Sequence, residues 1–193
     1  MSKTRIIAED TFVLFADLQA GIADLPMTVT SERLRKGVSG LSRLAALFGI
    51  PAVATVVQGR DGASPAILPE INQALGKLDI VQRVAADAFR NEAILEAVSA
   101  SGRKTILISG VATELAVQLP ALTGCDLGYR MFVVIDACGG MSTRTEQAAL
   151  QRMQATGVNL VSVMTLAGEL APNLGDAIGQ KAVPIIFEMA TAG

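Results

Sequence analysis

Histidine and tryptophan are absent from this 193-residue sequence, and cysteine occurs only twice. Without histidine neither a Ser-His-Asp nor a Cys-His relay can be assembled, and the commonest ligand of transition metals is missing. Cys125 and Cys138 have no C-x-x-C spacing, so a disulfide framework is not expected and a reducing compartment fits them. Charge is scarce as well: charged residues make up 18% and the formal net charge is -2, with the signs dispersed. That excludes a basic face for nucleic acid and a polybasic membrane anchor. The uncharged runs 44–59 and 153–168 are too short for a membrane span and are broken by Gly, Pro or Asn. Glu9 and Asp10 interrupt the only N-terminal candidate for a signal peptide, so a cytoplasmic protein is expected.

What is present is apolar. Hydrophobic residues amount to 51% with aromatics at only 4%, so the core is expected to consist of Ala, Val, Ile and Leu. This suits packed layers of helix and sheet, and the apolar surplus favours a homo-oligomer. The length suits one domain spanning residues 1–193.

Strand and helix patterns alternate along the whole chain. Thr11–Phe15 reads as a strand running into Asp17 and the Gly21 turn, and Ser31–Phe48 as a helix capped by Thr30 or Ser31 and ended by Gly49 and Pro51. Ala52–Val57 is a second strand, followed by a loop over 58–65. Ile80–Val84 is a third strand, and Asn91–Ser101 a helix. Thr105–Ser109, bounded by Gly110, reads as a buried fourth strand. Beyond it Thr113 is placed as the helix N-cap and Glu114 in the first turn. Pro120 is expected to disturb that turn, since it cannot bond back to the Ala116 carbonyl. Met131–Ile135, a helix over Arg144–Thr156, a strand over Asn159–Val163 and a mostly helical stretch Leu166–Gln180 complete the pattern. The alternation predicts a parallel, doubly wound α/β sheet with ligands bound beyond the carboxyl ends of its strands. Asp17, Arg83 and the Gly110–Ala116 junction all fall near such ends.

Each of these residues also has a plain structural reading. Asp17 suits a turn or cap, Arg83 on its own reads as a solvated strand-end arginine, Gln19 as a polar turn residue, and Thr113 and Glu114 as capping groups. Gly139 and Gly140 carry no G-x-G-x-x-G or Walker pattern.

Taken together, Phe15-Ala16-Asp17-Leu18-Gln19, Arg83 with Ala88-Phe89, Ser109-Gly110-Val111-Ala112-Thr113-Glu114, and Val133-Val134-Ile135-Asp136-Ala137-Cys138-Gly139 resemble the isochorismatase-like cysteine hydrolases, especially their octameric YcaC type. The likeness runs over roughly residues 8–172. It implies a three-layer fold around a six-stranded parallel sheet of order 3-2-1-4-5-6, a small-molecule substrate, no cofactor or metal, and a tetramer or octamer. It also implies that Asp17 is the general acid/base, that Arg83 is the basic member, and that Ala116 stands where the family has its cysteine. A cis peptide before Ala112 would turn the N–H groups of Ala112 and Ala116 toward an oxyanion, with Gln19, Thr113 and Phe89 lining the substrate site.

A methyl group cannot attack a carbonyl, and neither thiol is a ready substitute. Cys125 lies about 13 Å further along the same helix, on its opposite face, at about 1.5 Å per residue. Cys138 follows a neighbouring strand and reads as a small buried residue. The leading expectation is a hydrolase of a small amide or related C–N carbonyl compound in an inactive form, natural or introduced. The alternatives are a vinyl-ether hydrolase that uses Asp17 without a thiol, and a silent oligomeric binding protein. Specificity is expected to come from the 58–75 loop and from neighbouring subunits.

Overall fold

Every residue of Thr11–Ala16 is buried, which explains why this segment lacks the polar/apolar alternation of a half-exposed strand. It is β1, near the middle of a six-stranded sheet. The computed structural model describes residues 5–59, 62–63 and 65–191. In chain order the other elements are α1 (Ser31–Leu47), β2 (Ala52–Val57), α2 (Pro69–Leu75), β3 (Asp79–Arg83), α3 (Glu92–Ala100), β4 (Thr105–Val111), α4 (Gln118–Asp126), β5 (Arg130–Gly139), α5 (Thr143–Ala155), β6 (Asn159–Val161), α6 (Val163–Leu170) and α7 (Gly179–Ala190). All strand pairs are parallel and the order is β3-β2-β1-β4-β5-β6, the expected doubly wound arrangement.

The two faces of the sheet carry separate cores. Val13 and Phe15 of β1 pack with Leu34, Val38 and Leu41 of α1, with Ile71 of α2, Leu166 of α6 and Ile185 of α7. Phe12 and Leu14 point the other way, toward Ile94 and Val98 of α3, Ala121 of α4 and Met153 of α5. Small residues let the layers approach closely: a Cβ on Gly37 of α1 would lie 1.9 Å from the Asp136 carbonyl oxygen of β5. Among the described residues no helix is long and apolar enough to cross a membrane.

Several boundaries differ from the sequence reading. Gly110 does not end β4 but lies within it, opposite Ala16 of β1, where a Cβ would sit 2.2 Å from the Ala16 carbonyl oxygen. The glycine is there for the close approach of two strands, and the turn comes two residues later. β5 runs on to Gly139 because its register with β4 jumps from Ile108–Val133 to Gly110–Cys138, an irregularity that absorbs the extra residues. Residues 58–75 are not wholly loop, since α2 occupies Pro69–Leu75; Arg60, Asp61 and Ser64 of the 58–65 loop lie outside the described residues. β6 stops at Val161, where Ser162 caps α6, and Leu166–Gln180 is split by an irregular stretch before α7.

Gly110→Ala should therefore push β4 away from β1. Overpacking of this kind costs about 1–3 kcal/mol, and urea unfolding should show that loss as a lower midpoint at unchanged slope.

Candidate active site

Strand order reverses between β1 and β4: the chain leaves β1 for β2 and β3 on one side, then returns beside β1 as β4. The carboxyl ends of these two strands open a crevice of about 390 Å³, at the place where doubly wound sheets bind ligands. Asp17 and Arg83 line it together with Val111, Ala112 and Ala116, so four residues expected at the site do converge. Ile22, Leu25, Leu115 and Met141 supply apolar wall.

Asp17 follows β1 directly and has φ 55°, in the left-handed region that Asp tolerates better than most residues. Its N–H donates to the Thr55 carbonyl at 3.1 Å, and its side chain turns over the end of β2 toward β3. Oδ1 accepts from Thr55 Oγ1 at 2.8 Å and from Arg83 Nε at 3.1 Å, while Oδ2 accepts from the Arg83 NH2 group. The third guanidinium nitrogen, NH1, donates to the Ala85 carbonyl. Asp17 is 3% exposed and Arg83 4%, so the arginine is not the solvated strand-end residue that it resembles in isolation. The forked contact is the geometry that a guanidinium offers a carboxylate and an ammonium cannot. Thr55 was not singled out in the sequence, although a hydroxyl inside the apolar run Ala52–Val57 was the available signal.

The β4–α4 junction supplies the other wall. The Val111–Ala112 peptide is cis. A π-helical turn, Thr113–Val117, then precedes α4. The disturbance expected from Pro120 is taken up by this change of helical register, which leaves Pro120 in the first turn of α4, where a missing N–H matters least. Ala116 is 2% exposed, with its methyl on the crevice. The N–H groups of Leu115, Ala116 and Val117 converge on the Ala112 carbonyl at 3.0, 2.9 and 3.4 Å.

Thr113 is not the N-cap; that position falls to Ala112, which has no capping side chain. The Thr113 hydroxyl instead donates to Glu146 Oε1 at 2.7 Å and borders a neighbouring cavity with Cys138. Glu114 lies in the first turn, as expected, and its Oε1 accepts from the Met141 N–H at 2.9 Å and from Thr145 Oγ1 at 2.6 Å. Burial pushes the Glu114 carboxyl up, but the Thr145 hydroxyl and nearby backbone N–H groups outweigh this and hold it below its ordinary value.

Gln19 and Phe89 are placed away from the crevice. The Gln19 amide exchanges hydrogen bonds of 2.8 and 2.9 Å with the backbone of Val57, continuing the sheet by one side chain. Phe89 packs in the core and stacks on Tyr129 with centroids 6.2 Å apart. The loop bearing Ile22 and Leu25 is tied down by Arg35, which bonds Asp24 at 3.1 Å and Glu70 at 3.2 Å, and by the Thr28 N–H donating to the Gly140 carbonyl. Cys138 is buried, and burial pushes its thiol up to about 12; burial also raises Cys125 in α4. Neither is an activated thiol.

A doubly wound sheet with a buried Asp-Arg pair and a cis-peptide turn at its switch point defines the architecture, and comparison with known proteins assigns the family. The isochorismatase domain matches residues 11–165, and the chain belongs to the isochorismatase family. It is 31% identical over 167 residues to the probable hydrolase YcaC of Escherichia coli (strain K12), covering 86% of this chain and 80% of that protein. The solved structure of the Escherichia coli YcaC product, described as an octameric hydrolase of unknown specificity, superimposes with TM-score 0.86 at 29% identity, covering 100% of this chain and 97% of that one. YcaC from Pseudomonas aeruginosa, solved with hexane-2,5-diol and covalent acrylamide, also gives 0.86 at 28% identity, with 100% and 98% covered. The chain is thus an isochorismatase-like superfamily hydrolase by family, similar to YcaC.

Removing one member of the Asp17–Arg83 pair leaves the other charge buried and alone. Asp17→Ala and Arg83→Ala should each cost about 3–5 kcal/mol in denaturant unfolding. The double variant should cost less than the sum, since each single change already breaks the pair.

Proposed function

We propose that the crevice between β1 and β4 is the site of a hydrolase for small amides or related C–N carbonyl compounds, with its nucleophile position held by Ala116. The observation that carries this reading is the placement of the Ala116 methyl in one crevice with the Asp17–Arg83 pair and the Val111–Ala112 cis peptide. A thiol at 116 would stand at a helix start, where thiolates are favoured, within the same walls as a carboxylate able to shuttle a proton. The Ala112 and Ala116 N–H groups are the proposed oxyanion donors. The Ala116 N–H already donates to the Ala112 carbonyl, so in that role it must share or release this bond. The covalent acrylamide on the Pseudomonas relative shows that that protein carries a group which acrylamide modifies.

The vinyl-ether reading draws less support, because it needs Asp17 to donate a proton, and in this structure both of its oxygens act as acceptors, Oδ1 from Thr55 and Arg83 Nε and Oδ2 from the Arg83 NH2 group. A homo-oligomer is part of the proposal: Val84 is 97% exposed and Phe187 65% exposed, a costly use of apolar surface in a lone subunit.

Ala116→Cys should create a thiol that iodoacetamide labels near neutral pH, while Cys138 stays unlabelled until the protein unfolds; peptide mass spectrometry reads both. The same variant should hydrolyse members of a panel of small primary amides that the unchanged chain leaves intact, and adding Asp17→Asn should abolish the gain. A restored but unreactive thiol, together with no turnover, would sink the hydrolase reading. Light scattering coupled to gel filtration should give a mass of at least four chains, and Phe187→Glu should lower it.

A further inference from the structure

Arg83 is followed by a stretch of chain with little to hold it. Between the end of β3 and Asp87 come only Val84, Ala85 and Ala86; Val84 is 97% exposed, and the two alanines have no side chain that could tie the loop down. Yet this loop supplies one of the bonds that orient the guanidinium, since Arg83 NH1 donates to the Ala85 carbonyl. Wherever the loop settles, that end of Arg83 follows.

Polar side chains fasten the loop on both sides. On one, Asn91 Nδ2 donates to the Gln82 carbonyl at 3.4 Å, while Asn91 Oδ1 caps α3 by accepting from the Ala93 N–H at 3.0 Å. On the other, Asp87 is 7% exposed and makes two bonds in different directions. Its Oδ1 accepts from the Phe89 N–H at 3.0 Å, which closes the short turn Ala88–Arg90, and its Oδ2 accepts from the Thr123 hydroxyl of α4 at 2.7 Å. Thr123 comes seven residues after Ala116 on the same helical rod, about two turns at about 3.6 residues per turn, so the two positions share a side of it. The hydroxyl thus joins the helix that begins with the Ala116 turn to the loop that follows β3. Apolar packing alone would not fix this arrangement: Ala88 and Phe89 are buried with Val117 and Ala121 in one core, but such contacts are non-directional, whereas a hydrogen bond sets an angle.

We propose that Asp87 is a positioning residue of the crevice: its bond to Thr123 sets where the Arg83 guanidinium, and with it the Asp17 carboxylate, stands relative to position 116. This rests on the crevice being the reaction site proposed above. Asp87 acts through the Ala85 carbonyl and not on a substrate. The chain of contacts runs from Thr123 to Asp87, along the backbone to Ala85, and from there to Arg83 and Asp17. It ties the β3 wall of the crevice to the helix that carries the other wall. The Ala88-Phe89 motif gains a part in the site in this way, although the Phe89 ring itself stays in the core.

Thr123→Val keeps the shape of the side chain and removes its hydroxyl, and Asp87→Ser keeps a group able to close the turn but loses the reach to Thr123. Asp87→Asn can keep both bonds, with Oδ1 accepting from Phe89 and Nδ2 donating to the Thr123 oxygen. Urea unfolding of the unchanged chain, Thr123→Val, Arg83→Lys and the double variant forms a cycle that needs no chemistry. A lysine at 83 cannot make the forked contact and the Ala85 bond together, so loosening the loop should cost it little more. The fall in midpoint for the double variant should be clearly smaller than the sum of the two single falls. With Ile185→Val, in the core on the other face of the sheet, replacing Arg83→Lys in the cycle, the falls should add. In the Ala116→Cys background, Thr123→Val and Asp87→Ser should lower kcat by about tenfold or more on any amide turned over, with KM little changed. Asp87→Asn and Ile185→Val should keep it. Additive falls for Thr123→Val with Arg83→Lys would overturn the inference, as would an unchanged kcat in Thr123→Val and Asp87→Ser. An Ala116→Cys protein that turns nothing over refutes the hydrolase reading alone, because the unfolding cycle still decides whether Asp87 positions Arg83.

Discussion

A carboxylate taken out of water needs a partner, and in this molecule the partner is two strands away. Asp17 leaves the end of β1, passes over β2 and meets Arg83 at the end of β3, with the Thr55 hydroxyl of β2 bonded on the way. Three strand ends are thereby fastened by side chains where the sheet's own ladder stops. The register of the whole left half of the sheet is implicated, because a slip of one residue in β3 would turn Arg83 to the opposite face. The Gln19 amide does similar work on the backbone of Val57, a side chain that imitates backbone pairing beyond the end of β1.

The opposite wall depends on the absence of a side chain. Gly110 lets β4 lie against the Ala16 carbonyl, and the junction that follows stays close to Asp17 because nothing separates the strands. The π-helical turn then delivers Ala116 to the crevice before α4 begins, and the Glu114 carboxylate fastens the same turn to Met141 and Thr145 at the start of α5. One wall is held by an ion pair and the other by close backbone packing. The small cavity between them is lined by residues from distant parts of the chain.

The sheet was legible because each strand is a short apolar run set off by turn residues, and because parallel strands buried on both faces leave a continuous hydrophobic signal. The strand order was available only through the family resemblance, since hydrophobic periodicity carries no information about which strands pair. Asp17 and Ala116 could be located as residues following strands. What the sequence alone could not disclose was tertiary. Gly110 has the composition of a turn but the function of a close contact, the Thr113 hydroxyl finds Glu146 across 33 positions rather than its own helix, and Arg83 is buried only because Asp17 lies above it. Phe89 sits in a motif that resembles a site motif, yet its ring completes the core against Tyr129.

What maintains the site differs from what would use it. The Asp17–Arg83–Thr55 cluster satisfies its own hydrogen bonds, so it needs neither ligand nor nucleophile to persist, and losing either half would be felt as instability whether or not any chemistry occurs. Ala116 is different: a side chain of similar size at that position would leave the packing almost unchanged. Fold stability therefore constrains the charged pair strongly and position 116 weakly. A buried pair organised in this way is held by the requirements of folding, whether or not the crevice carries out chemistry. The reactivity of the crevice has to be judged from the group at 116.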